Sequence, residues 1–132
     1  MTLNWASQVA LDPKILAVSV EVNALTHDLV AAGGVFALSI LSRESKVAAR
    51  KFAKPAVDDP ARGTLSGFSV IEAPSGAPVL ADALAWLDCK VTGRLDCGSH
   101  SLFLGEVTAC AEVGGADQPV LRMEDTRMNY GG

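Results

Sequence analysis

Cysteine is scarce, and its placement excludes a disulfide-built scaffold. Cys89, Cys97 and Cys110 are odd in number and form no CxxC pair. They read as reduced thiols buried in or beside strands. Histidine is scarcer still, with only His27 and His100, so no metal site is predicted. Ser99 adjoins His100, yet adjacency does not supply a nucleophile–histidine–acid geometry. The formal charge of -4 excludes a broadly basic nucleic-acid surface, although a local cluster of cations can still hold a phosphate. Neither GxGxxG nor GxxxxGK occurs, so any nucleotide must be held in another way. A basic leader is missing, and the apolar run Ile15–Val20 is far too short to cross a bilayer. A soluble, cytoplasmic protein without a membrane partner is the default.

What is present describes a folded domain. With 49% hydrophobic and 20% charged residues in 132, the chain can bury one core, and residues 1–132 read as a single domain. Ile15–Val22 reads as a strand, β-branched on one register and interrupted by Ser19 and Glu21 on the other. Asn23–Thr26 turns the chain, with Thr26 as N-cap for a short helix over His27–Ala32 that Gly33 and Gly34 end. Val35–Leu41 is a nearly all-apolar strand, predicted to be central. Ser42 is placed to cap a helix over Glu44–Ala53, with Val47, Ala48 and Phe52 inward and Lys46 and Arg50 outward.

Residues 54–79 carry Pro60, Gly63, Gly67, Pro74, Gly76 and Pro78, and read as a long loop with one small helical turn. Leu84–Leu95 and His100–Val113 are strands joined by the hairpin turn Asp96–Ser99. Pro119–Leu121 is a candidate final short strand. Helices do not alternate regularly with strands, which argues against a doubly wound α/β fold. The fold class is therefore mainly β, a small barrel with two short helices.

Several stretches, taken in order, resemble one family. They are Asn4–Pro13, the Ile15–Val22 strand with Asn23–His27, Gly34–Leu41, Lys51–Ala53, His100–Val107 and Asp125–Gly132. Together they resemble the flavin reductase-like, FMN-binding split barrels, near the flavin reductase modules of high-molecular-weight rubredoxins. The resemblance implies a homodimer of FMN-binding split barrels, with FMN (FAD as the alternative) near the subunit interface and NADH or NADPH as electron donor. Reduced flavin then serves an electron-transfer protein or a monooxygenase.

By the same resemblance, Asn4, Trp5, Ala6, Ser7 and Gln8 line the isoalloxazine ring, and Asn23, Thr26 and His27 lie at the phosphate or ribityl chain. His100 stands near the nicotinamide end as the candidate catalytic residue. Phe52 is a core aromatic with a candidate flavin role, beside Arg50 and Lys51 as phosphate cations. Arg127 and Tyr130 reach flavin or nicotinamide from the tail. Members usually carry a strand and hairpin before the Asn4–Trp5 region, whereas this sequence starts almost inside the motif. That predicts either a barrel without its first strand, with unpaired edges, or a start placed too late. Two rival readings stand beside the reductase: an FMN-binding electron-transfer protein without reductase activity, and a shortened structural or interaction protein without cofactor.

Overall fold

The computed structural model describes residues 1–115 and 117–128. The chain runs β1 (Ala6–Ala10), β2 (Ile15–Glu21), α1 (Leu25–Gly33), β3 (Val35–Ile40), a 3₁₀ turn (Arg43–Ser45), α2 (Lys46–Phe52), β4 (Asp58–Asp59) and β5 (Thr64–Leu65). It continues through β6 (Phe68–Glu72), β7 (Pro78–Leu80), β8 (Ala85–Asp96), β9 (His100–Glu112) and α3 (Met123–Thr126). The strands form an antiparallel five-stranded sheet ordered β1-β2-β9-β8-β3 and a smaller one ordered β4-β5-β6-β7. The mainly β class holds, with a third, four-residue helix added near the end.

Side-chain alternation divides the large sheet into two faces. Val18, Val20 and Phe103 point to one side, where they join Val30 of α1, Phe36 of β3 and Cys89 of β8 in the core. Gly105 lies on that face because nothing larger fits. A Cβ there would stand 2.5 Å from the Phe36 ring and 2.9 Å from Cys89 Cβ. The opposite face carries Ser19, Glu21, His100, Leu102 and Leu104, and is covered far less completely. α1 stops where Gly34 adopts the left-handed conformation (φ 66°) and donates its N–H to Val30 O at 2.9 Å.

Several expectations change. Val35–Ile40 is an edge strand, not a central one. It is apolar because α1 and β7 pack against it, and Leu80 N–H of β7 donates to Ser39 Oγ at 3.0 Å. The segment expected as a loop holds the small sheet β4–β7. Its strands of two to five residues are too short to show periodicity between so many glycines and prolines. Thr26 lies within the first turn of α1 and does not cap it; the capping position is Ala24, with no side-chain bond.

Ser42 likewise bonds Ser45 Oγ at 2.9 Å and caps no helix N–H. α2 buries Ala48 and Ala49, leaving Val47 outside. Cys89 is buried, but Cys97 and Cys110 are exposed. Val120 makes a single bridge to Ser42, not a strand. No helix among the described residues is long and apolar enough to cross a membrane.

Candidate active site at the Trp5–His100 face

The segment Asn4–Gln8 is held by its backbone. Trp5 O accepts from Ser19 N–H at 3.0 Å, and Ala6, Ser7 and Gln8 stand opposite Val18, Ala17 and Leu16. Alternation then puts Trp5 and Ser7 on the outer face, whereas Ala6 and Gln8 point the other way. All five are exposed or nearly so. Among the described residues β1 pairs with β2 alone, so its second edge presents N–H and C=O groups. Among the described residues, Ser7 Oγ and Gln8 Nε2 bond nearby carbonyls, those of Gln8 and Ala10.

His100 begins β9 opposite Glu21, on the same face as Trp5. The two rings are 5.2 Å apart at 54°, and Trp5 remains 50% exposed, enough to offer a flat surface to another ring. Ser99 Oγ lies 2.9 Å from His100 Nδ1. Cys97 N–H donates to His100 O at 2.8 Å and closes the hairpin, while Val22 N–H reaches Ser99 O at 3.0 Å. Asn23, one residue further, is thereby placed beside the same hairpin.

A second group gathers at the end of α2. Thr2 donates its N–H to Phe52 O, a carbonyl that the helix leaves open, and its hydroxyl to Ala49 O, which also accepts from Ala53 N–H. Arg50 Nη2 donates to Thr126 O at 2.9 Å, and Arg43 pairs with Asp125 at 3.1 Å, which seats α3 and places Arg127 after it. Arg127 is exposed, with a left-handed φ of 56°. Phe52 packs on Phe68 at 5.8 Å, but both rings are only partly buried and lie outside the main core cluster. The Asn4–Trp5 segment follows Thr2 and thus links this group to His100.

His27 departs from its expected place. It is 7% exposed, its ring meets Phe103 at 5.4 Å, and Nε2 lies 2.9 Å from Ser101 Oγ. An imidazole so enclosed is unavailable to a phosphate. Thr26 is half-buried at the helix start. Tyr130 lies outside the described residues.

The hairpin adds groups that the sequence marked with no site role, Asp96 in the turn and Arg94 and Ser101 in the strands beside it. Ser101 Oγ donates to Asp96 Oδ1 at 2.8 Å, and Arg94 Nε to the same oxygen at 2.7 Å. The Ser101 bond first, and Arg94 after it, holds the Asp96 carboxyl below the usual carboxylate range. The clustering of Asp96, Ser99 and Ser101 around a tight turn was the available signal, but it does not separate a site from a turn.

These residues fit a flavin in their chemistry. Trp5 is flat and half-exposed, β1 offers amide groups along one edge, and α1 begins uncapped beside Asn23, where first-turn N–H groups suit an anion. No group of metal-ligating side chains occurs among the described residues.

Comparison with known proteins agrees with this picture. The flavin reductase like domain matches residues 1–131. The NADH-dependent flavin reductase StyB of Pseudomonas fluorescens is 36% identical over 122 residues, covering 92% of this chain and 68% of StyB. Among solved structures, the NADH:FAD oxidoreductase SgcE6 of Streptomyces globisporus, in complex with NAD and FAD fragments, superposes with a TM-score of 0.78. It is 31% identical, over 91% of this chain and 69% of its own. BorF, the flavin reductase component of a bacterial two-component tryptophan halogenase, gives a TM-score of 0.79 at 29% identity, over 96% of this chain and 78% of BorF. The chain is thus a member of the flavin reductase like domain family.

Proposed function

We propose that this chain is an NAD(P)H-dependent flavin reductase, with its flavin along the outer edge of β1 and the face that carries Trp5 and His100. Bound FMN, or FAD, supplies a ring that accepts hydride from NADH or NADPH and later releases the electrons. The observation that carries the location is the Trp5–His100 pair: two rings in contact on a half-exposed face, beside a strand edge rich in amide groups.

Each group has a definite task. The β1 edge, with Asn4, orients the polar rim of the ring, and Trp5 supplies flat contact. Ser7 adds a hydroxyl on the same face. Asn23, Thr26 and the uncapped start of α1 receive the phosphate, with Arg127 contributing positive charge from the other side. Ala6 and Gln8 contribute backbone more than side chain, because they point away. Phe52 supports the carbonyls that hold Thr2. His100 fixes the nicotinamide ring by contact, and Ser99 fixes His100. Hydride transfer needs distance and stacking above all, so no residue is assigned a proton.

A homodimer accounts for the apolar residues left outside. Trp5, Val9 and Leu11 near β1, with Leu95 on the hairpin, are exposed apolar residues that a second copy would cover. BorF is the reductase component of a two-component halogenase, and by analogy the reduced flavin of this chain would pass to a separate acceptor, a monooxygenase or an electron-transfer protein. The NADH dependence of the similar proteins makes NADH the donor to try first.

The test is an FMN titration of the purified chain, with FAD in parallel, followed by NADH under anaerobic conditions. Saturable binding and loss of the oxidised flavin band after NADH are expected. Binding without reduction would replace the reading with a flavin-binding electron carrier. Absence of binding to either flavin would overturn it.

A further inference from the structure

Behind His100, on the core side of the sheet, a chain of hydrogen bonds joins three elements. His27 of α1 lies 2.9 Å from Ser101 Oγ of β9; Ser101 is wholly buried (0% exposed). Ser101 Oγ lies 2.8 Å from Asp96 Oδ1 at the end of β8, and Arg94 closes the chain on the same oxygen at 2.7 Å. Phe103 forms the floor, with His27 edge-on at 5.4 Å and the Arg94 guanidinium 5.6 Å from its centroid. Asp28 Oδ1, on α1 itself, stands 3.4 Å from the other ring nitrogen of His27.

The direction of each bond follows from elementary chemistry. An ionised carboxylate only accepts, so the Ser101 proton points to Asp96. The Ser101 oxygen must then accept, and His27 Nε2 carries the donated hydrogen. A chain with one permitted direction defines one arrangement of the hairpin. Ser101 is also the residue next to His100. What fixes Ser101 on the core side fixes, one peptide away, the ring that meets Trp5 outside.

We propose that His27, acting through Ser101 and Asp96, is a positioning residue that sets where His100 stands against Trp5, and thereby where the nicotinamide ring is received. The proposal rests on the reductase reading for its catalytic consequence. Its geometric content stands apart from that reading. Were His27 simply a core histidine, its loss would lower stability and leave the Trp5–His100 contact as it was.

The experiment uses that difference. Trp5 and Trp86 are the two tryptophans, so Trp86→Phe leaves Trp5 as the reporter. The His100 ring quenches the indole that it touches, and Trp5 fluorescence at one fixed pH records that contact. His100→Gln removes this quenching and identifies it. Into this background go His27→Leu, which abolishes the donor, and His27→Gln, which keeps one. Asp96→Ala removes the far acceptor at an exposed position, and Asp96→Asn keeps an acceptor there.

His27→Leu and Asp96→Ala should lose most of the quenching amplitude, while His27→Gln and Asp96→Asn retain it. In NADH turnover, kcat/KM should fall on the order of 10- to 100-fold in the first pair, with flavin affinity unchanged. Should His27→Leu fail to fold, Asp96→Ala decides alone, since its side chain is 69% exposed. Wild-type amplitude in Asp96→Ala overturns the proposal. A wild-type chain that binds flavin but never accepts hydride would sink the reductase reading while leaving the fluorescence result to stand.

Discussion

The two faces of β9 differ in what holds them. On the core face, Ser101, Phe103 and Gly105 are buried, and each has a fixed reason to be what it is: a hydrogen bond, a ring in a closed space, and a missing Cβ. On the outer face, His100, Leu102 and Leu104 are half-exposed, and His100 meets Trp5. The first face is specified by the chain's own packing. The second is left for something else to complete. A strand that is finished on one side and unfinished on the other is the physical signature of a site built on a rigid wall.

That contrast is broken most forcefully at Gly105. Gly105→Val should cost about 3 kcal/mol in urea unfolding, because the added carbons have no space between Phe36 and Cys89. Little change in the midpoint would mean that the core face is looser than described. Trp5→Ala tests the opposite side. Flavin affinity should fall roughly tenfold, whereas stability should stay within about 0.5 kcal/mol because the ring is half-exposed. Equal binding by the variant would move the ring contact elsewhere.

Much of this division was legible in the residues. The alternation in Ile15–Val22 and the punctuation at Asp96–Ser99 predict a strand and a hairpin, and both are present, the strand ending at Glu21. The resemblance marked Trp5 and His100 separately, and the fold brings them together. The small sheet β4–β7 was hidden because two-residue strands have no readable period. The edge position of β3 was hidden because apolar content reports coverage by α1 and β7 as readily as coverage by strands. His27 shows the same limit. Its helix position was evident, but a bond to a residue 74 positions away was not.

Acid should act on the hairpin before the core. Asp96 has its folded pKa depressed by Ser101 and Arg94, so its contribution is complete above the ordinary carboxylate value and is lost as pH falls through the lowered one. Asp96→Asn should therefore flatten the acid limb of a stability-against-pH curve. An unaltered limb would remove the charge from the account. Alkali acts deeper in the core. Burial, with Asp88 alongside, pushes the Cys89 thiol up to about 11 from 9.0. Its contribution is complete below the unfolded value and lost as pH rises through the folded one.

The smallest effect expected is kinetic. Under native conditions Cys97 and Cys110 should be alkylated well before Cys89, because only Cys89 is enclosed. Early labelling of Cys89, read by peptide mass, would show that the core face opens readily.

The most direct test of the central claim is hydrogen exchange of the chain with and without saturating FMN. The account predicts slowed exchange at residues 4–8 and 99–102 and at the start of α1, with β4–β7 unchanged. Protection centred on residues 58–80, or none anywhere, would contradict it.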